Sequence, residues 1–136
     1  MNRKRFMYLK NLVLAFFNVE ESREKLGDDP ENTMLIYELG RLLSNRGDYE
    51  ESTQTFSKGL VIDPFNAHLY FGRGVVRVNV VRCWEGISDL ATAVRIMPEH
   101  RSFWYYLVTA TKFHGDYDGG SGEEHGKAGQ PSVSRA

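Results

Sequence analysis

Apolar and polar positions along this chain recur on two scales. Locally, Phe103, Tyr106, Ala110 and Phe113 stand at the three- and four-residue spacing of one helix face. Over a longer range the same residue types return every 34 positions: Leu60 maps onto Val94, Ile62 onto Ile96, Gly40 onto Gly74, and Pro30 onto Pro64 and then Pro98. A fixed step of this length marks stacked supersecondary units, and the prolines and glycines mark where each unit breaks. The pattern predicts an all-α chain with helices over 3–25, 33–46, 49–62, 67–80, 83–96 and 101–114. One segment argues locally against it, because Val75, Val76, Val78, Val80 and Val81 are β-branched and taken alone read as a strand. The period overrules them, since packing routinely outweighs local propensity.

The punctuation has a physical basis at each point. Gly47 can take the left-handed conformation that ends a helix. Asp48 with Glu51 three residues on is a capping-box pattern for the helix that follows. Pro64 cannot continue a helix interior and closes the unit. In the next unit Val81 and Arg82 replace the glycine-aspartate pair, so a looser turn is expected there. Gly115-Asp116-Tyr117 repeats the turn signal a last time, after which glycines dominate.

A 34-residue period with Leu39-Gly40, Gly47-Asp48-Tyr49, Phe56 and Asp63-Pro64 resembles the tetratricopeptide repeat (TPR), in which each unit is two antiparallel helices. Gly74, Leu90, Ala93 and Pro98 fall on matching places in a second unit, with Gly86 where a small alanine is usual. Trp104 and Leu107 do so in a third. The resemblance implies a TPR-type helical solenoid of about two and a half repeats: 33–66, 67–100 and a partial 101–118. Residues 1–30 carry neither the leucine-glycine pair nor the turn and are expected to form one helix packing on the array. Residues 119–136, rich in glycine, read as a flexible tail.

Composition narrows the functions available. The 136 residues include 17 basic and 18 acidic side chains, a net charge of -1, so no global field draws in nucleic acid or an anionic membrane. Arg3, Lys4 and Arg5 precede an apolar stretch as in a secretory signal. Lys10 and Asn11 interrupt that stretch, and Leu12 to Phe17 falls far short of the roughly 20 residues that span a bilayer. An amphipathic helix is the better reading, and membrane attachment is not expected. Cys83 is the only cysteine, which leaves no internal disulfide and fits a reducing, cytoplasmic setting.

Catalysis needs acids, bases and nucleophiles that converge. His68 and His114 fall on or near the first helices of separate units, His100 in a connector and His125 in the tail, and no HExxH, phosphate loop or CxxC is present. The histidines are read as scattered structural or solvated groups, and Cys83 as a small buried hydrophobe rather than a reactive thiol. No enzyme activity, metal or cofactor is expected. Arg73 and Arg77 lie four apart, where the family has a leucine and a large aromatic. Either they clamp a partner's carboxylate, or they pack their stems and pair with Glu38, Asp89 or another local carboxylate.

In the family, first helices line a concave groove and second helices form the convex back. By phase the resemblance places Met34, Tyr37, Glu38 and Arg41 in that groove, then His68, Phe71 and Val75, then Tyr105, Thr109 and Lys112. Such a surface suits a peptide or helix held by rigid aromatic anchors. The lysines, asparagines and arginine with which some members hold a chaperone's C-terminal carboxylate are not matched, as Tyr37, Arg41, Gly72 and Val75 stand at those faces. The expected function is a non-catalytic adaptor or scaffold for a protein partner. The alternative is a structural or self-associating subunit, docking through the N-terminal helix and the stripe Phe103, Tyr106, Ala110 and Phe113 of an unfinished last repeat.

Overall fold

The structure, a computed structural model, describes residues 2–80 and 82–118, and of residues 11–17 and 115–118 it describes the backbone alone. The tail expected over 119–136 lies outside the described residues, as does the side chain of Val81. Six helices follow one another: α1 (Arg3–Asp28), α2 (Thr33–Arg46), α3 (Tyr49–Ile62), α4 (Ala67–Asn79), α5 (Cys83–Ile96) and α6 (Arg101–Asp118). Each packs on the next, and α2, α4 and α6 also touch in sequence, which is the arrangement of a solenoid. There is no strand among the described residues. Val75, Val76 and Val78 are helical, because Val76 is buried on α4 and the backbone of that helix lies against α5, while Val80 is the residue that caps its end.

Asparagine sets the start of both complete units. Asn32 accepts hydrogen bonds from the Met34 and Leu35 N–H groups, and Asn66 accepts one from Leu69 N–H. In each case the amide also donates to an aspartate three residues earlier, Asp29 or Asp63. The first turn closes as expected: Gly47 has φ 96° and the Asp48 N–H donates to the Leu43 carbonyl at 2.9 Å. Of the second turn, which passes through Val81 outside the described residues, the closing bond is described. Arg82 N–H donates to the Arg77 carbonyl at the same 2.9 Å and at the same phase, although α4 stops a residue short of α2's length.

Two local expectations fail. Asp48 makes no capping bond, and neither it nor Glu51 closes a box. The Arg46 guanidinium takes the Asp48 carboxylate at 2.7 Å and Arg23 takes Glu51 at 2.8 Å, because a charge-assisted pair outbids a neutral backbone donor. Nor does Gly115 end α6, which runs on to Asp118.

The core is organised by Phe56, which is 1% exposed. A Cβ on Gly40 of α2 would come within 2.5 Å of its ring, and one on Gly72 of α4 within 2.6 Å. Two missing side chains therefore make the hole that the ring fills, and Ile36, Leu60, Leu69 and Val76 surround it. In the second unit the close approach is backbone to backbone, with Gly74 against the Gly86 carbonyl. α1 joins through Val19 and Leu26, which pack with Leu39 and Leu43. Since Val19 meets Leu43 near the end of α2, the first turns of α1 run past that helix, leaving Phe6, Met7 and Tyr8 exposed.

Candidate functional site

Side by side, α2, α4 and α6 enclose a cavity of about 440 Å³. Tyr37, Arg41, Ser44 and Asn45 line it from α2, His68, Phe71 and Val75 from α4, and Ser102, Phe103 and Tyr106 from α6. Phe56 and Gly72 form part of its wall, and His100 enters from the connector before α6. The rings are mutually packed. His68 meets Tyr37 edge-on at 5.9 Å and Phe103 at 5.4 Å, while Phe71 stacks on Phe103 at 4.7 Å and meets Tyr106 edge-on at 5.2 Å. Contacts of this kind hold the rings in place before any ligand arrives.

Among the described residues no carboxylate lines the cavity. Its polar groups are the Arg41 guanidinium, lying 5.9 Å from the Tyr37 ring, together with hydroxyls, an amide and two imidazoles. Burial raises the Tyr37 phenol above its ordinary value. It also lowers His68, helped by the nearby His100 imidazole, so His68 is neutral near pH 7. The arrangement offers rigid apolar surface with donors around it. Among the described residues no three His, Cys, Asp or Glu side chains gather into a metal site.

Of the ten groove residues read from the phase, Tyr37, Arg41, His68, Phe71 and Val75 come together in this cavity, and the other five lie outside its lining. Met34 is 80% exposed beyond its edge. Glu38 turns toward α1 and accepts a hydrogen bond from Ser22 at 3.1 Å. Tyr105, Thr109 and Lys112 are exposed on a different side of α6, whose cavity face is Ser102, Phe103 and Tyr106. The reason is a change of size at one phase: Tyr106 stands where Gly72 stands one unit earlier, and its ring packs edge-on against Phe71, which brings that face of α6 to the cavity.

The histidines are not all scattered. His68 and His100 approach to 5.6 Å, and His100 stacks on Phe103 at 3.7 Å. Its place was readable: Asn32, Asn66 and His100 share one phase, so the third unit trades a capping asparagine for an imidazole directed into the cavity. His114 is buried against the Trp84 ring, and Cys83 is half-buried with its thiol 4.0 Å from the Val78 carbonyl. Arg73 and Arg77 do not line the cavity. Arg73 forks onto both Asp89 oxygens at 2.9 Å and donates to Ser57, and Arg77 reaches the same carboxylate at 2.9 Å.

No protein-family model and no curated protein matches the chain. Solved structures do. Two crystal structures of MamA match at TM-scores of 0.64 and 0.63, with 20% and 18% identity, over 74% and 87% of this chain. A mutant O-GlcNAc transferase from Thermobaculum terrenum matches at 0.65, with 20% identity over 81% of this chain. The chain spans 58% and 68% of the two MamA chains and 23% of the transferase. At these identities the likeness establishes the fold, an all-α helical solenoid of TPR type.

Proposed function

We propose that this chain is a tetratricopeptide-repeat adaptor that binds a peptide or helix of a partner protein in the concave cavity, without chemistry, metal or cofactor of its own. The observation that carries this reading is the prepacked ring cluster of Tyr37, His68, Phe71, Phe103 and Tyr106 beside Arg41. Rigid aromatics and an arginine are the side chains that most often dominate binding energy. No described helix is long and apolar enough to cross a membrane. The lone cysteine fits a reducing, cytoplasmic setting. Selection from a displayed peptide library, followed by calorimetry, tests the reading. Tyr37→Ala and Phe71→Ala should each weaken a selected peptide by about 30-fold, the equivalent of roughly 2 kcal/mol, at unchanged helicity. Peptides that bind both variants as tightly as the parent place binding elsewhere.

A structural, self-associating subunit is the second reading, and exposed side chains on α6 favour it. The stripe first read from the sequence is half covered, since Phe103 and Ala110 are buried. Trp104, Tyr105, Val108 and Phe113 are the large side chains left open, with Tyr106 at the cavity edge. Sedimentation velocity over a range of concentrations separates the two, as a monomer throughout removes the self-associating role.

A further inference from the structure

A second cavity of about 490 Å³ lies between α1, α2 and α3 and shares no residue with the concave one. Leu26, Pro30, Ile36, Leu39 and Ile62 form its apolar wall, and Gly27, Thr55, Arg23, Glu51 and Lys58 also line it. The repeat supplies a template for what belongs there. One period on, the corresponding residues are Leu60, Tyr70, Arg73 and Ile96, with Val61 for Gly27 and Asp89 for Thr55. In that second unit the Tyr70 ring packs against both core clusters, which include Leu60 and Val94, and the Arg73 guanidinium stands 5.7 Å from it. In the first unit smaller residues replace the tyrosine and the arginine, and the volume stays open. A guanidinium is nevertheless present, supplied across the helices by Arg23, which is held by Glu51 at 2.8 Å.

We infer that this cavity is a second binding site, for an aromatic side chain of a partner polypeptide that carries a carboxylate beside the ring. The ring takes the place that Tyr70 occupies one repeat later, against Leu26, Ile36 and Ile62. Charge complementarity sets the neighbour: the Glu51 carboxylate in the lining is taken up by Arg23, which leaves Lys58, exposed and in no ion pair among the described residues, as the uncompensated charge. Arg23 adds an attraction for the ring of the kind Arg73 gives Tyr70. Apolar wall and few polar groups in a cavity of this size are the usual makeup of a ligand site.

Isoleucine-methyl NMR on the whole chain tests the assignment, with N-acetyl-Tyr-Glu-amide as the probe and N-acetyl-Leu-Glu-amide and N-acetyl-Tyr-Lys-amide as controls. The Ile36 and Ile62 methyls should shift saturably with the first and far less with either control. Two variants fill the space in different ways. Ile36→Tyr restores the second unit's ring, and Gly27→Leu extends a side chain from a position where an added Cβ meets nothing within 4 Å. Each should raise the melting temperature and weaken probe binding by about tenfold or more, and Gly27→Leu decides the matter if Ile36→Tyr folds poorly. Equal shifts with the leucyl control, or undiminished shifts in Gly27→Leu, overturn the proposal. A concentration-dependent dimer that moves the same methyls without any probe also overturns it, by making a second copy the occupant.

Discussion

The two complete repeats share a backbone and differ in what fills it. In the first, Leu39, Leu43 and Thr55 lie where α2 faces α3. At the same phase in the second stand Arg73, Arg77 and Asp89, an ion triad whose carboxylate residue is 5% exposed. Ser52 donates to the Gly40 carbonyl at 2.7 Å in one unit, and Gly86 lets the Gly74 carbonyl approach directly in the other. Both turns still close on the same backbone bond. Period and small residues therefore dictate the path of the chain, while the chemistry between the helices is free to change, here to a carboxylate held by two guanidinium groups.

The sharpest way to break the comparison is to unpair the triad. Asp89→Ala strands two guanidinium groups between helices, and loss of one partner of a buried pair costs about 3 to 5 kcal/mol. The phase-equivalent Thr55→Ala removes only a hydroxyl that donates to the Glu51 carbonyl within its own helix, and should cost about 1 kcal/mol or less. Urea denaturation of the two variants measures the gap. Replacing all three residues by their first-unit counterparts (Arg73→Leu, Arg77→Leu and Asp89→Thr) should instead be neutral or stabilising, by up to about 4 kcal/mol.

Next in size is overpacking. Gly40→Leu and Gly74→Leu each force a side chain into a close contact, at a cost of about 1 to 3 kcal/mol. The first drives into the buried Phe56 ring, which Gly72 confines on its other side, and the second into the Gly86 backbone carbonyl, so neither contact can relax cheaply. Thermal melts that leave both variants at parental stability remove the packing argument.

Much of this was legible in the chain. The 34-residue step placed the helices, and Leu39-Gly40 and Gly74 marked the close contacts, because a backbone period and a missing Cβ are written directly in residue type. What failed was partner choice across elements. Asp48 and Glu51 read as a local cap, yet Arg46 and Arg23 claimed them, and Arg23 belongs to a helix outside the repeat pattern. The facing of α6 failed for a similar reason: Tyr106, at the phase of Gly72, packs its ring on Phe71, a side-chain contact that the period does not encode. Five of the ten residues read as groove line the cavity, and His100 lines it unread, since a substituted cap changes where a side chain points without disturbing the period.

The smallest expected effect concerns pH. Burial and His100 lower His68 below its ordinary value, so the unfolded chain binds more protons than the folded one as pH falls through the range just under 6.5. The contribution of neutral His68 is fully present above that range and is lost as pH falls through the lowered value. Melting temperature should decline slightly between neutral pH and pH 5.5, and His68→Phe should flatten the decline. The first unit has no counterpart, since Met34 stands at that phase.

Binding in the concave cavity, apart from the charges between the helices, is the central claim, and one calorimetric comparison tests it. A library-selected peptide is titrated into Phe71→Ala and, separately, into the Arg73→Leu, Arg77→Leu, Asp89→Thr triple variant. The account predicts an affinity loss of about 30-fold in the first and an essentially unchanged affinity in the second. The reverse outcome, binding kept without Phe71 and lost with the triad, contradicts it and makes the arginines the recognition site.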